Sequence, residues 1–275
     1  MIPPAAEQIT DALRSAPSLR GLYLSGSYGN GLADAYSDLD FIMVSDEGAT
    51  DALAALWRQA VACVGEVILW RDRTVAPVLI NAITAPDTRI DVLMLTPAQL
   101  QGHAQDSLRP LLDHDGLYFS LPAQKAHNRP DPRRMAYQFE EFIRILGLLP
   151  VAMGRGEYIN GVTGIFHLRN LLIDLLIAET NAPHRGGALH MNRLLSVEQQ
   201  DLLNSLPQPL ASPESLLDTY RAYAAAYLHR ARAYANLHDI PWPDRFEDVT
   251  LTQIGQSLDI EILRTPLGVR PLTDT

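Results

Sequence analysis

Apolar and polar positions change rhythm once along this chain. From Leu19 to about Ser107, short apolar runs rich in Val, Ile and Leu alternate with helix-like stretches. Period-two runs predict strands at Gly21–Ser25, Leu39–Ser45, Glu66–Arg71, Val75–Thr84 and Arg89–Thr96. Helical spacings predict helices at Ala5–Ala16, Thr50–Cys63 and Pro97–Asp106, the last with Thr96 as N-cap and Pro97 in first position. Pro77 cannot donate to a ladder, so its strand lies at an edge or begins after it. Beyond Pro132 the pattern turns helical. Met135, Phe139, Phe142, Ile143 and Leu146 line one face of a helix from Arg133 to about Leu149, which Pro150 kinks or ends. Further helices are expected from Ile159 to about Thr180, from Val197 to Leu206, and from Ser215 to about Leu237 behind the start signal Ser212-Pro213-Glu214. The pattern therefore predicts an α/β or α+β domain around one sheet, then a helical bundle. The boundaries read as 1–107 for the first, 108–132 for a crossover segment with buriable Leu111, Leu112, Leu117, Tyr118 and Phe119, and 133–275 for the second.

Composition narrows the function classes. With 275 residues and 47% hydrophobic content, the chain has material for roughly two domains with real cores. Lys and Arg number 22 against 32 Asp and Glu, a formal charge of −10. That balance argues against a broad basic face for duplex nucleic acid and suits a cationic small substrate better. Cys63, the one cysteine, excludes an internal disulfide and a Cys-cluster zinc site; its apolar neighbours predict a buried, inert thiol. The N-terminal MIPPAAEQIT lacks a secretory signal pattern, and the apolar stretches Ile143–Met153 and Asn170–Ala178 are interrupted by Arg144, Pro150 and Asp174. No membrane partner and a cytoplasmic location are expected.

One segment concentrates chemistry: Leu24-Ser25-Gly26-Ser27-Tyr28-Gly29-Asn30-Gly31, then Tyr36-Ser37-Asp38-Leu39-Asp40-Phe41-Ile42-Met43-Val44. Its glycines follow neither the dinucleotide fingerprint nor the P-loop order. A strand ends at Ser25 and a Gly-Ser turn opens a short helix, where Gly26 permits close backbone approach and Ser27 Oγ can hold phosphate oxygens. Asp38 and Asp40, two apart on a strand, share one face, while Leu39 and Phe41 turn into packing. Adjacent carboxylates raise each other's pKa unless a cation lies between them, and hard oxygen ligands suit Mg²⁺. Asp91 shares a face with Arg89 and Leu93, opposite Ile90, Val92 and Met94; a charge within such a β-run needs a partner, which a shared metal would supply.

The run GSYGNGLADAYSDLDFIMV closely resembles the signature of the DNA polymerase β-like nucleotidyltransferase superfamily. The resemblance implies an α+β fold, a small mixed sheet flanked by helices and followed by the bundle. It implies that Asp38, Asp40 and Asp91 hold two Mg²⁺ ions, and that Gly26 and Ser27, with Ser37 of the same motif, bind an NTP, ATP being considered first. The charges agree: a triphosphate with about four negative charges and three carboxylates calls for two divalent ions. The two-part plan, with RNLLIDLLIAE and the Tyr/Ala-rich late helix, is similar to antibiotic nucleotidyltransferases of the lincosamide type, the aminoglycoside type coming second. This implies nucleotidylylation of a hydroxyl on a small molecule.

In the bundle, Arg169 and Arg193 are expected at triphosphate oxygens and His167 or Asp174 at the acceptor, the other reading being intra-bundle hydrogen bonding. Glu140, Glu141, Glu157 and Asp174 stand beside Asp91 as candidate bases. His184 and His190 read as loop residues rather than metal ligands. Tyr220, Tyr223, Tyr227 and Tyr234 recur at helical steps and read as a packing stripe. The alternative function is a protein-directed AMPylating or nucleotide-binding module of toxin–antitoxin type; Arg221 and His229 lie too far apart for the partner toxin's motif. A cleft between domains also admits completion by a neighbouring subunit, as in a homodimer.

Overall fold

A computed structural model describes residues 2–73, 77–124, 131–180 and 191–262, in two compact units, Met1–His127 and Asn128–Thr275. The architecture is α+β. In the first unit, strands β1 (Leu19–Leu24), β2 (Leu39–Ser45), β3 (Val67–Arg73), β4 (Leu79–Thr84), β5 (Thr88–Leu95) and β6 (Arg109–Asp113) form one sheet in the order β3-β4-β5-β2-β1-β6. Among the described residues only β2 and β5 pair in parallel. Period-two alternation decides the layers. Leu39, Phe41, Met43, Ile80, Ala82, Ile90, Val92 and Met94 turn to one face, where they form a core with α1 (Pro4–Leu13) and α3 (Thr50–Ala62). Trp57 of α3 sits edge-on to Phe41 at 5.1 Å. A smaller cluster on the other face joins Tyr23, Ile42, Val44 and Leu95 to Leu100, Leu108 and Leu121.

Three expectations change. The stretch expected to cross between domains supplies a strand, β6, which pairs with β1; the division between the two units lies within that stretch. Asp113 closes that end: it accepts from Tyr23 Oη at 2.9 Å and from the amides of Leu117 and Tyr118 at 2.8 and 3.0 Å. The helix expected over Pro97–Asp106 stops at Leu100 (α4, Pro97–Leu100), with a 3₁₀ turn at Gln105–Ser107. Thr96 does cap it, in a reciprocal box with Gln99. Cys63 is exposed, because α3 ends one residue before it and the turn carries its thiol outward. The strand around Pro77 begins at Leu79 and is internal to the sheet, since the proline falls outside it.

The second unit contains α5 (Pro132–Leu146), α6 (Leu149–Arg155), α7 (Tyr158–Thr180), α8 (Met191–Leu194), α9 (Val197–Ser205), α10 (Pro213–Leu237) and α11 (Asp244–Leu258). Pro150 does not bend α5; it occupies the first turn of α6, where its missing N–H is harmless. The apolar stripe of α5 is wholly buried, and Phe142 stacks on Tyr227 at 3.7 Å. The four tyrosines of α10 are 5% exposed or less, so they are packing residues. By length and composition alone α7 is apolar enough to cross a membrane, but Ile165, Leu168, Leu172, Leu175 and Leu176 lie in the core of this unit.

Candidate active site

The site is built where β1 gives way to α2 (Gly26–Gly29). The Ser25 amide donates to the Asp40 carbonyl at 2.8 Å, carrying the β1–β2 pairing one residue past the strand. Gly26 then takes φ +54°, and a Cβ there would collide with the Asp40 carboxylate. Glycine is therefore required twice, for the left-handed backbone and for the close approach. Ser27 follows, 7% exposed, and its Oγ has no hydrogen-bond partner among the described residues. A buried hydroxyl without a partner is costly, and here it sits on the Gly-Ser turn beside Asp40.

Asp40 stands on β2 directly across from Asp91 on β5, while Leu39 and Phe41 are buried on the opposite face. Asn81, opposite Asp91 on β4, hydrogen-bonds the Asp91 side chain. Asp38 lies one residue before β2, at the end of a loop with its own hydrogen bonds. The Tyr36 amide donates to Asp34 Oδ1 at 2.9 Å, and Ser37 Oγ accepts from the Asp34 amide at 2.9 Å and donates to Asp34 Oδ1. Arg89 Nη2 donates to the Tyr36 carbonyl at 3.1 Å, tying the loop to β5.

The charges act on one another. Burial, then the neighbouring Asp38 and Asp91, push the Asp40 carboxyl up to about 6, against the opposing pull of Arg89. Asp91 is also raised, chiefly by burial and then by Asp38, with the Asn81 hydrogen bond, Arg89 and Arg73 opposing. Carboxylates disfavoured in their charged form and facing one another suit a divalent cation, with phosphate oxygens completing its shell. Among the described residues no three Asp, Glu, His or Cys side chains are gathered into a complete metal cage. The three predicted aspartates are thus electrostatic neighbours, short of a preformed metal site.

The helical unit treats its predicted residues differently. Arg169 Nη1 donates to Tyr223 Oη at 3.0 Å and to the Leu203 carbonyl at 3.4 Å, which supports the intra-bundle reading over contact with a triphosphate. Asp174 accepts from Gln138 at 2.8 Å and lies 3.5 Å from Arg134. Glu141 is held by Arg144 through two bonds of 2.7 Å. Arg193, His167, Glu140 and Glu157 are exposed on the surface. His184 and His190 lie outside the described residues.

Asn81 and Arg73 escaped sequence reasoning. In the structure Leu79, Asn81 and Ile83 stay half-exposed while Ile80, Ala82 and Thr84 are buried, and strand register places Asn81 on the face of Asp91; that register is not written in the sequence near either residue.

Residues 6–75 match the family model of the nucleotidyltransferase domain. No curated protein matches the chain. Three solved structures are similar to this chain. An aminoglycoside 6-adenyltransferase from Bacillus subtilis is 14% identical with a TM-score of 0.43, the match covering 93% of this chain and 98% of that one. A nucleotidyltransferase-like protein from Exiguobacterium sibiricum is 12% identical with a TM-score of 0.40, covering 91% and 88%. A spectinomycin adenyltransferase from Enterococcus faecialis is 13% identical with a TM-score of 0.35, covering 83% and 98%.

Proposed function

We propose that this protein transfers a nucleoside monophosphate from an NTP, ATP first among them, to a hydroxyl of a small molecule, with Asp38, Asp40 and Asp91 holding two Mg²⁺ ions. The observation that carries this reading is the register of Asp40 with Asp91 beside the buried, unpartnered Ser27 hydroxyl of the Gly-Ser turn. When bound there, divalent ions lower the pKa of the acceptor hydroxyl and offset the charge of the leaving pyrophosphate. Gly26 lets a phosphate approach the backbone, and Ser27 Oγ donates to one of its oxygens. The acceptor oxygen forms a bond to the α-phosphorus, the α–β anhydride bond breaks, and pyrophosphate leaves. The hydroxyl proton passes to an Asp91 carboxylate oxygen, a choice supported by the position of Asp91 directly across from Asp40. Antibiotics of the lincosamide and aminoglycoside kinds are the acceptors the sequence resemblance puts first. Purified protein, Mg²⁺, each NTP and an acceptor panel test the proposal through pyrophosphate release. Absence of release in every pairing, together with no binding of a nonhydrolysable ATP analogue, would overturn it.

Two variants of condition bear on the same site. Ser27→Ala removes a hydroxyl with no hydrogen-bond partner among the described residues, so thermal stability is expected to hold or rise slightly. The KM for NTP should meanwhile increase on the order of tenfold, the loss of about 1.4 kcal/mol from one phosphate hydrogen bond. A fall in stability with KM unchanged would instead assign the hydroxyl to the fold. Protons and Mg²⁺ compete for Asp40, so lowering the pH from 7.5 to 5.5 should raise the half-saturating Mg²⁺ concentration roughly fourfold, as expected for a group titrating at about 6. A Mg²⁺ titration of turnover at the two pH values reads this directly.

A further inference from the structure

The face of the sheet that carries Asp40 and Asp91 continues past them to the edge strand, and its polar residues form rows. Arg71 on β3 is directly opposite Asn81 on β4, Asn81 opposite Asp91 on β5, and Asp91 opposite Asp40 on β2. One row further along, Arg73 is opposite Leu79 and Leu79 opposite Leu93. Directly opposed residues share a face, so both arginines stand on the side of the carboxylates, with Asp72 on the other. Arg71 and Arg73 are exposed, and neither takes part in a salt bridge among the described residues. Arg73, like Arg89, lies near enough to Asp91 to act on its charge.

Sheet order decides which substrate these cations meet. The Gly-Ser turn follows β1, and four strand intervals of about 4.8 Å separate β1 from β3, roughly 19 Å, so a phosphate held by Ser27 is out of reach of Arg71. From Asp91, at the point of transfer, Arg71 is only two intervals away, about 10 Å, in the opposite direction. That is the span of a small acceptor whose hydroxyl lies at Asp91 and whose far end lies on β3. We propose that Arg71 and Arg73 form an acceptor subsite for a small hydroxylated molecule bearing an anionic group, a phosphate or a carboxylate. The net charge of −10 and the resemblance to enzymes of cationic aminoglycosides point the other way, but recognition follows the local field, and on this part of the face the charge beyond Asp91 is positive, so the subsite replaces a cationic acceptor with an anionic one. Guanidinium forks match planar or tetrahedral anions in two-point hydrogen bonding, and half-buried Leu79 and Ile83 beside them give apolar support.

This subsite rests on the transfer reading for its purpose, and the test separates the two. The full chain is titrated with glucose 6-phosphate, glucuronate, glucose and glucosamine in the presence of Mg²⁺ and a nonhydrolysable ATP analogue, whose own binding is measured in parallel. The anionic sugars are expected to bind roughly tenfold or more tightly than glucose, with glucosamine weakest; which anion leads distinguishes phosphate from carboxylate. The double substitution Arg71→Gln/Arg73→Gln should abolish that preference while leaving nucleotide binding and thermal stability unchanged, and Arg71→Lys/Arg73→Lys should keep part of it. Equal or absent binding of the four sugars, a preference for glucosamine, or an anion preference that survives the Gln pair would overturn the subsite. Failure of the nucleotide analogue to bind would instead overturn the transfer reading and leave the charge preference to be judged by itself.

Discussion

Asp40→Asn is expected to lower turnover on the order of 10³-fold or more, the equivalent of about 4 kcal/mol of transition-state stabilisation, while making the folded protein more stable at pH 7.5. The two effects come from one cause. Asp40 is partly buried and faces Asp38 and Asp91, so its carboxyl titrates at about 6 in the fold, against 3.8 for the ordinary side chain. Between those values the folded chain binds more protons than the unfolded one, so this group favours folding more as pH falls through 6 and disfavours it above. A shift of that size corresponds to roughly 3 kcal/mol, which solvent screening at a partly exposed group reduces to about 1–2 kcal/mol. Asn keeps the shape and removes the charge. Its Tm advantage should therefore be a few degrees at pH 7.5 and should shrink toward pH 4, where the native carboxyl is protonated as well. Thermal melts across pH, paired with pyrophosphate release, check both halves. Retained turnover would remove Asp40 from the reacting centre; reduced stability at pH 7.5 would mean its charge is better compensated than the geometry implies.

Much of this site was legible before any coordinates, and the reason is its locality. Gly26, Ser27, Asp38 and Asp40 lie within fifteen residues, and alternation alone placed Leu39 and Phe41 in the core and Asp40 outside it. Asp91 was legible because an acid within an apolar run stands out. What the sequence hid depends on pairing between distant strands. Nothing near Asn81 or Arg71 announces that β4 and β3 extend the row from Asp91, because register is a tertiary property. The short strand Arg109–Asp113 was missed for a related reason: five residues with a proline and two charges carry no clear period, and β1 supplies the order. The helix α11 was missed because few of its residues are buried, Glu247, Thr250 and Ile254 among them, so its apolar face is too narrow to read. Arg169 looked like a phosphate ligand because an arginine within an apolar helix needs an anion or an acceptor, and sequence did not reveal that Tyr223 stands opposite.

Arg232→Met is expected to destabilise the helical unit by about 3–5 kcal/mol, a large share of the 5–15 kcal/mol typical of a folded domain. Glu247, on α11, is 0% exposed. Arg232, on α10, donates to it through Nη2 and to Asp244 Oδ1 through Nη1 at 2.6 Å. Trp242 Nε1 donates to the same Glu247 oxygen at 2.8 Å, and the Arg232 guanidinium lies 5.0 Å over the Trp242 ring. Trp242 packs in turn on Phe139 of α5, so one guanidinium links α10, α11 and the core. Methionine preserves much of the packing volume but withdraws the positive charge from a fully desolvated carboxylate, which is the expensive way to break a buried pair. At about 2–4 °C per kcal/mol for a chain of this size, Tm should fall by roughly ten degrees. The double variant Arg232→Met/Glu247→Leu removes both charges and should recover most of that loss, because an apolar pair of similar volume often replaces a buried ion pair at little cost. A double-mutant cycle by denaturant unfolding measures the coupling. A loss below about 1 kcal/mol for Arg232→Met, or no recovery in the double variant, would show that α11 is held by its apolar contacts and that the buried ion pair adds little to them.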